Sequence, residues 1–206
     1  MRIYVASHNA DKVAEIRDVL RGLGVEILSA ADVPGSEPPE ETGRTLGENA
    51  LLKARTLFRL IGEPSLADDT GLEVDALGGR PGVRSSRYAG AGATYRDNVL
   101  KLIDEMKDVE EPLRGARFRT AAALVLRSGV EILAEGVCEG LILSEPRGRG
   151  GFGYDPVFFL PEVGKTFAEM ELSEKGAFSH RGRAFRRIRE LLARYLASED
   201  PTVKPA

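Results

Sequence analysis

The sequence predicts an α/β protein whose central sheet has mixed strand order and is flanked by helices. A short apolar strand pattern at residues 3–6 leads into an amphipathic helix, with apolar residues at helical spacing from Val13 to Leu23. Two apolar runs, at 116–126 and 131–137, are separated by Ser128-Gly129, and this pattern predicts an antiparallel hairpin. A strand–helix start combined with an antiparallel hairpin is typical of a mixed sheet.

Size and composition fit one globular domain. The chain has 206 residues, of which 42% are hydrophobic and 30% charged, so it carries enough apolar side chains for a sizeable core. We expect residues 1–197 to form this domain. The segment 198–206 contains two prolines and few side chains to bury, so the sequence predicts a disordered tail there.

Charge and cysteine content exclude several classes of protein. With 29 Lys and Arg against 32 Asp and Glu, the net charge is -3, which provides no general attraction for nucleic acid or an anionic membrane. We therefore expect neither partner. The single cysteine, Cys138, excludes a disulfide framework and a zinc site built on several thiolates, and we interpret it as a packed thiol. The start of the chain does not resemble a signal peptide, so we expect a cytoplasmic protein.

The second helix has clear boundaries, and a long loop precedes it. Thr45 predicts the N-cap, Glu48 stands in the capping-box position, and Gly62 predicts the end of the helix. A strand pattern at 25–28 is followed by a polar loop at 31–43 that holds three prolines. Loops of this length inside a compact domain are often functional.

The remaining elements alternate between strand and helix patterns. A short apolar run at 65–67 predicts a strand, and Thr94 predicts the start of a third helix. A last strand pattern at 157–160 precedes a final helix, whose apolar side runs from Ala184 to Tyr195. We interpret the arginines of that helix as a solvated face; they are Arg183, Arg186, Arg187 and Arg189.

A polar segment follows the first strand, at the point where the first helix begins. It consists of Ser7, His8, Asn9, Ala10, Asp11 and Lys12. The free N–H groups and partial positive charge of a helix N-terminus suit a phosphate, and Lys12 adds a full charge. The glycines and the GK[ST] ending of a P-loop are missing. The alternative is an ordinary helix cap formed by Asn9, with Lys12 in solvent.

Two adjacent carboxylates, Asp68 and Asp69, follow the strand at 65–67. Such a pair can hold a hard divalent cation and orient a water molecule. Because successive strand residues point to opposite sides, we expect one of the two to face the site, and the residues leave open which one. Glu40 or Glu41 in the long loop could add a ligand. The alternative is a turn in which one aspartate accepts backbone hydrogen bonds.

Glycines and aromatic residues alternate between Gly148 and Pro156. Four glycines allow the backbone to approach a ligand closely, and a ring of Phe152 or Tyr154 can stack on a flat group such as a nucleobase. The alternative is a glycine-rich connection whose aromatic residues complete the core.

Basic residues surround the start of the final helix. Lys175 could neutralise a phosphate, and a neutral His180 beside Arg181 could read the edge of a base. The alternative is Ser179 as N-cap of a solvated basic turn, but basic residues in a first turn oppose the helix dipole. The segment from Arg84 to Tyr88 stays open, as a phosphate site, a subunit contact or neither.

Several motifs occur in a fixed order between Ile3 and Leu196. They are Ser-x-Asn-x-x-Lys, Glu-Glu-Thr-Gly, Glu-Asn-Ala-Leu-Leu-Lys-Ala, Ala-Asp-Asp-Thr-Gly-Leu, Gly-Gly-x-Pro-Gly, Gly-Gly-Phe-Gly-Tyr-Asp-Pro and Ser-His-Arg-Gly. This combination resembles the non-canonical purine nucleoside triphosphate pyrophosphatases, the inosine/xanthosine triphosphate or Ham1-like family. The sequence departs from the family pattern at His8, where members often have glycine, and at Ser7, which replaces threonine but keeps the hydroxyl.

The resemblance implies a two-lobed fold with a nucleotide cleft between the lobes, a homodimer, and a magnesium-dependent enzyme. Its substrates would be ITP, dITP and XTP, cleaved to the monophosphate and pyrophosphate. Asp69 would be general base and metal ligand, with Glu40 or Glu41 completing the magnesium site. The segment from Ser7 to Lys12 would hold the triphosphate. The residues surrounding the rest of the nucleotide would be Thr70, Phe152, Gly153, Tyr154, Asp155, Lys175, His180 and Arg181.

Two other functions stay open. One is a related pyrophosphatase that acts on modified pyrimidine or methylated nucleotides. The other is a nucleotide sensor without catalytic activity, in which paired carboxylates would be unnecessary.

Overall fold

The computed structural model describes residues 1–199. Its helices are α1 (Ala10–Val19), α2 (Leu46–Ile61), α3 (Tyr95–Glu105), α4 (Leu172–Phe178) and α5 (His180–Glu199). Its strands are β1 (Arg2–Val5), β2 (Glu26–Ser29), β3 (Ser65–Val74), β4 (Pro81–Gly82), β5 (Gly115–Val125), β6 (Glu131–Ile142), β7 (Phe158–Leu160) and β8 (Lys165–Thr166). The predicted disordered tail lies outside the described residues except for its first two positions, 198 and 199, which belong to α5.

One sheet contains all the strands, in the order β2-β1-β3-β5-β6-β7-β8, with β4 paired to β3. The β1 strand is parallel to both of its neighbours, whereas the other pairs are antiparallel. The predicted mixed strand order is therefore confirmed. The predicted hairpin is formed by β5 and β6, which pair from Val125–Glu131 to Gly115–Leu141.

Helix boundaries largely follow the capping residues. In α2, the Thr45 side chain accepts from the backbone N–H of Glu48, and the Glu48 side chain accepts from the backbone N–H of Thr45. Gly62 ends the helix with a φ of 68°. Thr94 caps α3 in the same way. The first helix ends at Val19, although the apolar residues at helical spacing continue to Leu23.

The sequence wrongly predicted that a strand would end before Asp68 and that a turn could follow. The β3 strand continues to Val74, so Asp68 and Asp69 lie in its middle. The reason is long-range pairing, since β5 matches β3 without interruption from Ser65–Val125 to Val74–Ala116. A partner strand of that length keeps the chain extended even though its side chains are polar.

The long strands β3 and β5 connect two apolar cores. Leu66 and Leu124 pack in a core with α1 and α5, whereas Leu72 and Phe118 pack in a second core beside α3 and β7. The polar positions of β3 lie between these two pairs. A third apolar cluster, which includes Ala67 and Ala121, packs against α2. Along β3, Asp68 and Asp69 lie between the first two cores.

The arginines of α5 were wrongly interpreted as one solvated face. Three of them donate to backbone carbonyls: Arg183 to Val137, Arg186 to Gly176 and Ala177, and Arg189 to Val19. These bonds attach α5 to β6, α4 and α1. No helix within residues 1–199 is long and apolar enough to cross a membrane.

Gly136 allows α5 to pack directly on β6. A Cβ atom at this position would lie 2.5 Å from the backbone nitrogen of Ala184 and closer still to the carbonyl oxygen of His180. We expect Gly136→Ala to lower the free energy of unfolding by about 1–3 kcal/mol, because the helix backbone must move away.

A matched control is Gly47→Ala in α2, where a Cβ atom would meet nothing nearer than Leu133 at 3.5 Å. That change removes a helical glycine and is expected to raise the free energy of unfolding by up to about 1 kcal/mol. Urea denaturation compares the two variants. Equal stability of both would show that the contact between β6 and α5 is not tight.

Candidate functional site

The segment between β1 and α1 forms a capped helix start beside the sheet. The Asn9 side chain accepts from the backbone N–H groups of Asp11 and Lys12, which confirms Asn9 as the N-cap. Its amide group donates to the Tyr95 hydroxyl at 2.9 Å. The Ser7 hydroxyl accepts from the backbone of Asn9. The helix cap formed by Asn9 is therefore part of the polar segment from Ser7 to Lys12, and the two interpretations of this segment are compatible.

His8 connects this segment to the long loop. Its Nε2 atom lies 3.0 Å from the carbonyl oxygen of Ser36. Ala10 and Asp11 are exposed in the first turn of α1. Lys12 was interpreted in one alternative as a solvated side chain, and this is wrong: its Nζ atom lies 3.4 Å from a carboxylate oxygen of Asp68.

The β3 strand directs its two aspartates to opposite faces of the sheet. Asp68 contacts Lys12 of α1 and Arg181 of α5, whereas Asp69 contacts Asn49 and Lys53 of α2. This is the alternation that a strand imposes on successive residues. The two carboxylates therefore have separate environments and separate partners.

Asp68 is a buried carboxylate that pairs with two cations. It is 4% exposed, and Arg181 donates to its Oδ2 atom through two nitrogens, at 3.2 and 3.1 Å. Burial alone would raise the pKa of Asp68, but the cations of Lys12 and Arg181 hold it well below the usual range. A carboxyl group with so low a pKa is a poor proton acceptor.

Asp69 has the opposite character. Its Oδ1 atom accepts from Lys53 at 2.7 Å, and its Oδ2 atom accepts from Asn49 at 3.1 Å. Burial raises the pKa of Asp69, and the nearby Glu41 carboxylate adds to the increase despite the ammonium group of Lys53. Of the two candidates that the sequence could not separate, Asp69 is the better base.

Glu41, not Glu40, converges on Asp69. The Lys53 ammonium lies 2.6 Å from Glu41 and 2.7 Å from Asp69, so it bridges the two carboxylates. The second Glu41 oxygen accepts from Arg87 at 2.8 Å. Glu40 is exposed.

The donor set on this face fits magnesium. Within residues 1–199, no group of three or more His, Cys, Asp or Glu side chains is arranged to hold a metal. Magnesium is commonly bound by one or two carboxylates, together with water and substrate phosphates. Asp69 and Glu41 supply such a pair, and neither is fully buried.

A cleft opens on the Asp68 face, between α1, α3 and the glycine-rich segment. Its walls include Tyr95 and Phe152, whose ring centroids are 6.1 Å apart. The side of the cleft formed by β5 and α5 carries Phe118 stacked on His180, with centroids 4.4 Å apart. Other predicted site residues line it as well; they are Lys12, Thr70, Gly153, Tyr154, Asp155 and Arg181.

His180 is buried and uncharged at neutral pH. Burial lowers its pKa well below the usual range of a histidine, and the charge of Arg181 lowers it further. Among the described residues, its Nδ1 atom is a buried polar atom without a hydrogen-bond partner. Such atoms are rare in native proteins, because each costs free energy unless a partner compensates it.

Lys175 lies behind the cleft. It is 3% exposed and pairs with Asp155 at 2.5 Å and with Glu15 at 2.7 Å. Its ammonium also lies 4.7 Å from the centroid of the Phe152 ring. Glu15 pairs in addition with Arg181 at 2.7 Å. Carboxylates therefore already balance the charges of Lys175 and Arg181. The Lys12 side chain is more exposed than either of these two side chains.

Sequence reasoning missed several contacts and left one segment open. Lys53 and Asn49 lie in the quoted Glu-Asn-Ala-Leu-Leu-Lys-Ala motif, and no local pattern indicates that they reach Asp69. In the open segment, Ser85 accepts from the Leu72 backbone and its carbonyl accepts from Tyr154. That segment thus connects the cleft wall to β3. Cys138 is buried as predicted.

The chain is similar in sequence to one family of known proteins. The sequence model of the Ham1 family matches residues 3–191. A dITP/XTP pyrophosphatase from Thermus thermophilus is 48% identical over 190 residues, covering 92% of this chain and 91% of that protein. A dITP/XTP pyrophosphatase from Desulforamulus reducens is 43% identical over 194 residues, covering 94% and 96%.

Solved structures give the same result at the level of fold. A HAM1 protein from Coxiella burnetii aligns with a TM-score of 0.84 at 39% identity, covering 94% of this chain and 99% of that one. The Ham1 protein of Staphylococcus aureus aligns with a TM-score of 0.81 at 32% identity, covering 97% and 100%.

Proposed function

Because the chain belongs to the Ham1 family, we propose that it hydrolyses the purine nucleoside triphosphates ITP, dITP and XTP to the monophosphate and pyrophosphate. The observation that carries the proposal is the arrangement at the middle of β3. An aromatic cleft with a buried neutral histidine lies on the Asp68 face, and a base with a raised pKa lies on the other. The aromatic cleft suits a purine, and the base, Asp69, suits hydrolysis.

The middle of β3 has no strand partner along one edge, and this supports a single bound nucleotide that reaches both faces of the strand. The β1 strand pairs with β3 only at Ser65 and Leu66, and β4 pairs with it only at Leu72 and Glu73. Among the described residues, positions 67–71 thus have a strand partner on the β5 side alone. A triphosphate crossing this gap would meet the segment from Ser7 to Lys12, with the base in the cleft and the phosphates near Asp69.

Asp69 acts as general base in the proposed mechanism. It accepts a proton from the water that attacks the α-phosphorus, and pyrophosphate leaves. Asp69 and Glu41 would hold magnesium, which when bound would offset phosphate charge and stabilise the leaving pyrophosphate. Lys12 offsets charge from the α1 side. Burial lowers the pKa of Lys12, but Asp68 beside it favours the charged form.

The cleft discriminates between bases in this proposal by hydrogen bonding to the 6-position of the purine. His180 lines the cleft, and its neutral ring supports a role in contacting the base. A ring N–H of His180 would donate to a 6-keto oxygen and would find no acceptor in the amino group of adenine. A site built for such a bond discriminates more strongly than a purely apolar one.

His180→Ala is expected to lower the ratio of kcat/KM for ITP over ATP by roughly tenfold or more, because the polar ring in the cleft wall is lost. The measurement is pyrophosphate release from each nucleotide by the same preparation, so ATP serves as the internal control. Thermal unfolding shows whether the variant is folded. An unchanged ratio in a folded variant would remove His180 from base recognition.

We extend the proposal to the protein's form and location. Residues 1–197 form one unit, the active protein is a homodimer, and it works in the cytoplasm without nucleic acid or membrane partners. The single cysteine and the net charge of -3 support the last two points. Analytical ultracentrifugation tests the dimer.

A panel of triphosphates tests the function against its alternatives. ITP, dITP, XTP, ATP, GTP, a modified pyrimidine triphosphate and a methylated purine triphosphate are each incubated with and without magnesium. We expect pyrophosphate from the first three, only with magnesium. Preference for a modified pyrimidine or methylated nucleotide would favour a related pyrophosphatase, and tight binding of ITP without hydrolysis would favour a sensor.

A further inference from the structure

Lys53 occupies the position between the two proposed magnesium ligands. Its ammonium lies 2.7 Å from Oδ1 of Asp69 and 2.6 Å from Oε1 of Glu41, closer than any other cation of the site approaches both. The side chain is only 11% exposed. Both contacts are charge-assisted hydrogen bonds, which are stronger when partly buried. A cation and Lys53 therefore need the same two oxygen atoms.

Charge on this face is already balanced. Lys53 and Arg87 supply two positive charges, and Asp69 and Glu41 supply two negative ones. A divalent cation entering this face adds two charges to a neutral group and must compete with an existing ion pair.

Lys53 also borders a pocket beside the long loop, lined by His8 and Ser36. It projects from α2, whereas Asp69 is fixed in β3 and retains a second bond from Asn49, which is 1% exposed. The carbonyl oxygen of Asp68 lies 3.4 Å from the ammonium, so it offers Lys53 an additional contact. A flexible four-carbon side chain can turn away from the pair while the carboxylates stay in place.

We propose that Lys53 gates the metal site: it occupies the two carboxylates in the free enzyme and is released to a substrate phosphate when metal and nucleotide enter together. This inference rests on the proposed function for the identity of the nucleotide. It makes Lys53 a competitor of the metal before substrate binds and a phosphate ligand afterwards. The free enzyme thus retains little metal, and the metal enters with the triphosphate.

The test measures Mn²⁺ binding to nucleotide-free protein by electron paramagnetic resonance, with Mn²⁺ as the probe for magnesium. Lys53→Met keeps the length of the side chain and removes the ammonium, so Mn²⁺ affinity is expected to rise by more than about tenfold. Mn²⁺ should also raise the melting temperature of this variant more than that of the wild type. Lys53→Gln is a second neutral variant in case Lys53→Met does not fold.

Arg87→Met is the matched control. It also removes one positive charge from Glu41, but Arg87 contacts the outer oxygen and is 43% exposed, so Mn²⁺ affinity should rise by no more than about threefold. Unchanged Mn²⁺ affinity in both Lys53 variants would overturn the gate, and so would an equal increase in Arg87→Met. Because no nucleotide is present, the result is separate from the triphosphate panel that tests the proposed function.

Discussion

Asp69→Asn is expected to lower kcat for dITP by roughly 10²–10⁴-fold while nucleotide binding is retained. The amide cannot accept a proton from water, and it is a poorer magnesium ligand than a carboxylate. Nucleotide binding should persist because the base binds in the cleft on the opposite face of β3, and Lys12 and Glu41 remain to contact the phosphates and the metal. Pyrophosphate release gives kcat, and equilibrium dialysis with labelled dITP gives the affinity.

The neighbouring carboxylate is the control for this variant. Asp68→Asn removes the anion that pairs with Lys12 and Arg181, so it should lower the free energy of unfolding. Asp69→Asn should lower it less, because Lys53 retains Glu41 as a partner when Asp69 loses its charge. If Asp69→Asn keeps more than a tenth of the wild-type turnover, Asp69 is not the general base.

Arg181→Met is expected to lower the free energy of unfolding by about 3–5 kcal/mol, because it removes a fully buried cation that two buried carboxylates share. Arg181 is 2% exposed and pairs with Asp68 at 3.1 Å and Glu15 at 2.7 Å. Methionine fills much of the volume, so lost charge rather than lost packing causes the change. Urea denaturation measures it.

Arg183→Met is the matched control, since Arg183 lies on the same helix, is exposed, and donates only to the carbonyl of Val137. We expect it to cost less than about 1.5 kcal/mol. The double variant Arg181→Met/Asp68→Asn should recover part of the loss, because it neutralises one of the two stranded carboxylates. Equal stability of the two single variants would mean that the buried ion pairs around Arg181 are not needed for folding.

Local chemistry predicts the helices of this protein well. Thr45, Glu48 and Gly62 fix the ends of α2 because each satisfies backbone groups within a few residues. The hairpin of β5 and β6 is equally local, since Ser128-Gly129 marks its turn. These features depend on neighbours in the sequence, and the sequence contains all of their partners.

The different environments of Asp68 and Asp69 depend on residues that are distant in the sequence. Asp68 meets Arg181, and Asp69 meets Lys53, at separations of 113 and 16 residues. No pattern near Asp68 indicates that β3 continues through it, because β5 supplies the pairing from elsewhere in the chain. The sequence therefore predicted both carboxylates as candidates, and only the structure assigns them opposite electrostatic environments.

The most direct test of the account is the product of dITP hydrolysis by the wild-type enzyme in magnesium. Ion-exchange chromatography should show dIMP and pyrophosphate in equal amounts, and dATP under the same conditions should react at a small fraction of that rate. Formation of dIDP and orthophosphate would contradict cleavage at the α-phosphorus. Equal rates for dITP and dATP would contradict recognition of the 6-keto purine in the cleft.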